Sequence, residues 1–133
     1  MGILFPTDKW IKAAMVAVNE SAAYQEAAKS WEGDIVFVAT ALPGDQKVVE
    51  LYMDLWHGTC RNAYELTEKQ DSEFVIIAPL AVWRKVLEGK LDPIRGLVSR
   101  QLKMKGNMMK VMKAPKAAVE LVNSCATVDT EWP

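Results

Sequence analysis

The chain is poor in the side chains that most often do chemistry. Its 133 residues contain one histidine, His57, and two cysteines, Cys60 and Cys125. A tetrahedral zinc site needs four converging ligands, and these three, with no CxxC spacing, cannot build one. No metal and no cofactor is expected, and the thiols read as two free, buried cysteines in a reducing cytoplasm. Phosphate-cradling loops are missing too. The seven glycines lie far apart and form neither GxGxxG nor GxxxxGK[ST], which argues against nucleotide binding by those routes. The longest apolar run, FVIIAPLAVW at 74–83, is broken by Pro79 and is too short to span a bilayer, which takes about 20 residues as a helix. No cationic stretch precedes the apolar start of MGILFPTDKW, so a secretory leader is not expected. Gly2 does not begin a myristoylation motif either, because Pro6 stands where Ser or Thr is required.

A nucleophile or base would have to use His57. Asp54 and Cys60 each lie three residues from it. Three is an odd spacing, so Asp54 and His57 point to opposite faces of an unbent strand. His57 therefore reads as a turn histidine and not as a catalyst. The carboxylates Asp71 and Glu73 fall in or beside a polar loop, and Glu50 and Asp54 on a wet sheet face. Nothing in their spacing sets up an acid/base pair.

What the chain does have is an uneven charge. Residues 1–83 carry 6 cations and 12 carboxylates, whereas residues 84–116 carry 10 cations and 2 carboxylates. The net charge of −1 hides a basic segment, and an asymmetry of this kind points to an anionic partner. Nucleic acid is a poor candidate, because no aromatic residue lies between Trp83 and Trp132 to stack on bases.

Hydrophobic spacing gives the elements. Thr7 caps a helix with the stripe Trp10, Ile11, Ala14, Met15 and Val18, and Ser21 caps a second one bearing Tyr24, Ala27, Ala28 and Trp31. DIVFVATAL (34–42) reads as a strand ending at the turn Pro43-Gly44-Asp45. VVELYMDLW (48–56) alternates, with Val49, Leu51, Met53 and Leu55 on one face. TCRNAYEL (59–66) returns from a His57-Gly58 turn, and EFVIIA (73–78) makes a fourth strand. Pro79 begins a helix that Gly89 ends, Asp92-Pro93 begins a short one, and RQLKMK (100–105) is a fifth strand. Asn107 caps a helix from Met108, Pro115 restarts the last one, and the tail beyond Cys125 is expected to be loose. Strands in a continuous meander with segregated helices predict one α+β domain over 1–133, its sheet covered on one side.

The methionines allow several readings. Copper(I) accepts thioethers, and Met108, Met109 and Met112 lie close on one helix. They also continue an apolar stripe, with Met104 on the inward side of the strand before them and the neighbouring lysines outward. Methionine fills irregular gaps and lines surfaces that re-pack around varied partners. Trp83, Leu87, Leu97, Met104, Met108, Met109 and Met112 thus either complete a packed core or line an apolar ligand cavity.

One resemblance is specific. The run VWRKVLEGKLDPIRGLVSRQLKMKGNMMKVMK (82–113) resembles the C-terminal signature of the sterol carrier protein lipid-transfer family. The matching positions are Trp83, Gly89-Lys90, Asp92-Pro93 and Leu102-Lys103-Met104-Lys105-Gly106-Asn107. WEGDIVFVA (31–39) and LYMDLWHGTCRNA (51–63) resemble strands of its small prokaryotic members, and the likeness runs from about Phe5 to Cys125. It implies a five-stranded, mainly antiparallel sheet with helices covering one face and an apolar tunnel between them. It further implies a non-enzymatic cytoplasmic protein that binds fatty acid, fatty acyl-CoA or a related lipid. The expected tunnel lining is Phe37, Leu51, Met53, Phe74, Ile76, Trp83, Leu87, Leu97, Leu102, Met104, Met108, Met109, Met112 and Leu121. The basic segment would meet a head group, a CoA phosphate or an anionic membrane surface. Family members also occur attached to enzymes, so the alternative is an accessory module that docks on a lipid-handling enzyme through Tyr52 and Trp56, expected on the outer sheet face.

Overall fold

A computed structural model describes residues 2–44 and 48–133; Asp45 of the expected turn lies outside them. The elements follow in the order β1 (Ile3–Leu4), α1 (Asp8–Glu20), α2 (Ala22–Ala27), β2 (Glu32–Thr40), β3 (Val48–Trp56), β4 (Thr59–Glu65) and β5 (Phe74–Pro79). They continue as α3 (Leu80–Leu87), α4 (Pro93–Val98), β6 (Lys103–Lys105), α5 (Met108–Met112), α6 (Pro115–Ala126) and β7 (Thr130–Glu131).

Local chemistry sets the helix starts. The Thr7 hydroxyl accepts from the Trp10 N–H, Ser21 from Tyr24, Asp92 from Ile94 and Arg95, and Asn107 from Met109 and Lys110. Each cap satisfies donors that the helix itself leaves open. Pro79 closes β5 and caps α3, so the helix begins one residue later than its proline suggests.

Five strands form one sheet in the order β4-β3-β2-β5-β6. Three neighbouring pairs are antiparallel, but β2 and β5 run parallel, with Ile35 opposite Phe74 and Phe37 opposite Ile76. The sheet is mainly antiparallel, as expected, but the continuous meander is not. After the β2-β3-β4 run the chain crosses to the free edge of β2, as a parallel neighbour requires. The reason lies in β2 itself. Ile35, Val36, Val38 and Ala39 are all buried, and a strand apolar on both faces belongs in a sheet's interior with partners on both sides.

The hairpin between β3 and β4 has positive φ at His57 and Gly58, the pattern of a tight turn that matches strand twist. A Cβ on Gly58 would stand 2.7 Å from the Gln25 carbonyl oxygen, so glycine is required there both by φ and by space.

All helices lie on the inner face of the sheet. Trp10, Ile11, Ala14 and Val18 of α1 meet Leu51, Met53 and Leu55 in the main core, and burying such a side chain contributes about 1.5–3 kcal/mol. Helix α6 packs against α1 through α5, which makes it the hub of the helical layer. The outer face carries a smaller cluster of Val36, Val38 and Tyr52, with Tyr64, Leu66, Val75 and Ile77 around it. Tyr52 is therefore buried, packed at a tilt against Tyr64 and donating to Asp34 at 2.8 Å, which corrects the expectation of an exposed aromatic. Trp56 does stay exposed.

The tail is ordered as well. Strand β7 pairs with β1, the Trp10 indole donates to Thr130 at 2.9 Å, and Trp132 packs on Phe5. A polar composition concealed these anchors, since each partner lies more than 100 positions away in sequence.

Candidate functional site

Between the sheet and the helices lie two adjoining apolar cavities. The larger, about 80 Å³, is walled by Phe37, Phe74, Ile76 and Met104 from the sheet side and by Trp83, Leu97, Val111, Leu121 and Val122 from the helices. The smaller, about 60 Å³, lies among Phe5, Trp10, Leu51, Met53, Leu87 and Cys125. Phe37, Trp83, Val86, Leu121 and Val122 border both. Register explains the floor. Leu51, Phe37, Ile76 and Met104 sit opposite one another on β3, β2, β5 and β6, and form one row across four strands.

The two indole N–H groups nearest the larger cavity are already engaged. The Trp83 indole donates to the Val38 carbonyl at 2.9 Å, and that of Trp31 to Gly33 at 3.0 Å. Burial raises the Tyr24 phenol above its ordinary range and pushes the Cys125 thiol up to about 12, so both groups are neutral at physiological pH. Such a surface accepts hydrocarbon and gains little from a charged group.

Of the residues expected to line a tunnel, Phe37, Leu51, Met53, Phe74, Ile76, Trp83, Leu87, Leu97, Leu102, Met104 and Leu121 stand on the walls of these cavities. Met108, Met109 and Met112 do not. Met108 and Met109 point to solvent, Met109 being 63% exposed, and Met112 packs at the core's edge without reaching either cavity. The inward residue of α5 is Val111. A five-residue helix with four apolar positions has no periodic stripe to read, so the sequence does not single out the side that docks. Lys110 also breaks the expected outward pattern of the lysines. Its Nζ lies 2.6 Å from a Glu73 carboxylate oxygen, donates to the Glu32 carbonyl, and sits over the Trp31 ring. Sequence reading also missed Trp31, Ile35, Val86 and Val122 as wall residues; the inward alternation of β2 was a usable signal for Ile35.

The reactive groups do not converge. His57 Nε2 pairs with Glu32 and its ring stacks on Trp56, while Asp54 is held by Arg61 through two 3.1 Å contacts. Asp34 accepts from Tyr52 and from the Glu73 N–H. Cys60 is buried, with its thiol pushed up to about 11 by burial, which suppresses the nucleophilic thiolate. No group of three or more metal-binding side chains occurs among the described residues. No helix there is long and apolar enough to cross a membrane.

The SCP-2 sterol transfer family model matches residues 11–118. The chain belongs to that family. Its solved relatives include sterol carrier protein 2, at 36% identity and TM-score 0.82, with 92% of this chain and 97% of that one covered. A conserved Thermus thermophilus protein, itself described as a candidate sterol carrier protein, aligns at 38% identity and TM-score 0.86 over 94% of this chain and 90% of that one. The apo sterol carrier protein 2 of Yarrowia lipolytica shares the fold at 19% identity, with a TM-score of 0.61 over 87% of this chain and 88% of that one. Among curated proteins, none matches. SCP-2 membership places the chain among proteins that bind or transfer lipids on a non-catalytic fold.

Proposed function

We propose that the whole chain acts as one cytoplasmic lipid-binding domain that takes up a fatty acid, a fatty acyl-CoA or a similar single-chain ligand between sheet and helices. The observation that carries this reading is the pair of adjoining cavities walled almost wholly by apolar side chains, with the Trp83 and Trp31 indoles already bonded. Each buried CH₂ is worth about 0.8 kcal/mol, so a chain binds without any polar motif. Both cavities are smaller than the roughly 300–1,000 Å³ of a typical ligand site. A chain longer than one cavity holds therefore has to pass the wall the two share, formed by Phe37, Trp83, Val86, Leu121 and Val122.

The basic surface fits the polar end of such a ligand. From Pro93 to Val119 the sequence has seven cations and no carboxylate, and Met109 and Val98 are well exposed among them. That combination suits a CoA phosphate or brief contact with an anionic bilayer. A second reading, a docking module for a lipid-handling enzyme, keeps one supporting observation. Trp56 is 39% exposed beside Arg61, and aromatic and arginine side chains are frequent interface anchors.

Displacement of a fluorescent fatty acid, together with native mass spectrometry of the purified protein, tests the first reading. Saturable displacement at one site per chain supports it. Absence of both displacement and bound lipid contradicts it.

A further inference from the structure

Phe37 is the sheet residue that borders both cavities. It lies midway along β2, the central strand of the sheet, with Leu51 and Ile76 beside it and α3 and α6 above. A residue so enclosed is normally buried, as its same-face neighbours Ile35, 7% exposed, and Ala39, 2% exposed, are. Phe37 nevertheless keeps accessible surface. With strands on both sides and helices overhead, that surface faces the two cavities, both of which it lines. Its ring meets Trp83 edge to face, centroids 5.8 Å apart and planes at 80°. The two members of this pair are held differently. Trp83 is fixed by its bond to the Val38 carbonyl. The Phe37 ring has no polar tie, and empty space borders it on either side.

From this geometry we propose that Phe37 is the divider that sets the length of chain the protein accepts. With the ring against Trp83, a ligand entering the larger cavity over Ile76 and Met104 ends at β2. With the ring removed, the same chain continues over Leu51 and Met53 into the smaller cavity. Phe37 is a specificity-determining residue in this account, and the inference rests on the lipid-binding reading above.

The test compares wild type, Phe37→Ala and Phe37→Leu by calorimetric titration with saturated straight-chain fatty acids. Chains run from about eight to about eighteen carbons, because each methylene buried in the cavity should tighten binding about fourfold. In wild type the dissociation constant falls at about that rate per methylene and then levels off once the chain meets the ring. In Phe37→Ala the levelling point moves several carbons longer. In Phe37→Leu, which keeps most of the buried volume and guards against a misfolded alanine variant, it moves the same way by less. A cooperative thermal transition confirms that each variant is folded. An identical levelling point in all three proteins, or none in wild type, overturns the divider while leaving lipid binding intact. No saturable binding of any chain by wild type overturns the lipid reading, and this inference with it.

Discussion

The indole N–H of Trp83 donates to the backbone carbonyl of Val38 at 2.9 Å, which ties α3 to the central strand directly above the junction of the two cavities. A buried carbonyl that loses its partner keeps its desolvation cost, so Trp83→Phe should lower unfolding free energy by about 1–3 kcal/mol. Urea unfolding followed by circular dichroism checks this. A change within error would mean that the bond is not formed in solution.

The docking side of α5 is open to a simple contrast. Val111 is 8% exposed and Met109 is 63% exposed. Val111→Ala should destabilise by about 1 kcal/mol or more through lost burial, and Met109→Ala by less than about 0.5 kcal/mol. The opposite ranking of melting temperatures would restore the inward methionines that the sequence favoured.

That contrast shows where sequence reading stopped. Helix caps and the alternating face of β3 were legible, because caps are local chemistry and periodicity records burial, whereas Phe37, Phe74 and Ile76 were expected on the wall only through the family resemblance. Parallel pairing of β5 with β2 was not legible, since strand spacing carries no direction. Nor was the orientation of α5, whose five residues are shorter than any reliable stripe. The place of Lys110 depends on Glu73 and Glu32, distant in sequence and adjacent only in the fold.

Gly58 should tolerate no side chain. Its φ is +80°, and a Cβ would lie within 3 Å of Gln25 backbone atoms, which cannot swing aside as a side-chain tip can. Gly58→Ala is expected to cost about 1–3 kcal/mol from strain at that backbone conformation, read as a lower urea midpoint with an unchanged m-value. Full retention of the wild-type midpoint would show that α2 and the hairpin do not touch.

Alkaline pH should unfold the protein early. Burial raises the Tyr24 and Tyr52 phenols and lifts the Cys60 thiol from 9.0 to about 11 and that of Cys125 to about 12. Above the ordinary thiol value the unfolded chain has lost protons that the folded chain still holds, so stability falls as pH rises. It is fully present below about pH 9 and declines through the folded values. Denaturant midpoints measured from pH 7 to pH 11 should drop with a slope that Cys60→Ala and Cys125→Ala make shallower. A flat profile would contradict the burial of these groups.

The central claim is that a lipid chain lies between the sheet and α6. Ala118 borders the larger cavity, and Ala118→Trp would place an indole inside it. The most direct measurement is titration of wild type and Ala118→Trp with the same fluorescent fatty acid, each protein first shown to be folded. Saturable binding by wild type and its loss, by at least about tenfold in Kd, in the filled variant is the predicted result. Unchanged affinity with the cavity filled would place the ligand elsewhere and contradict the account.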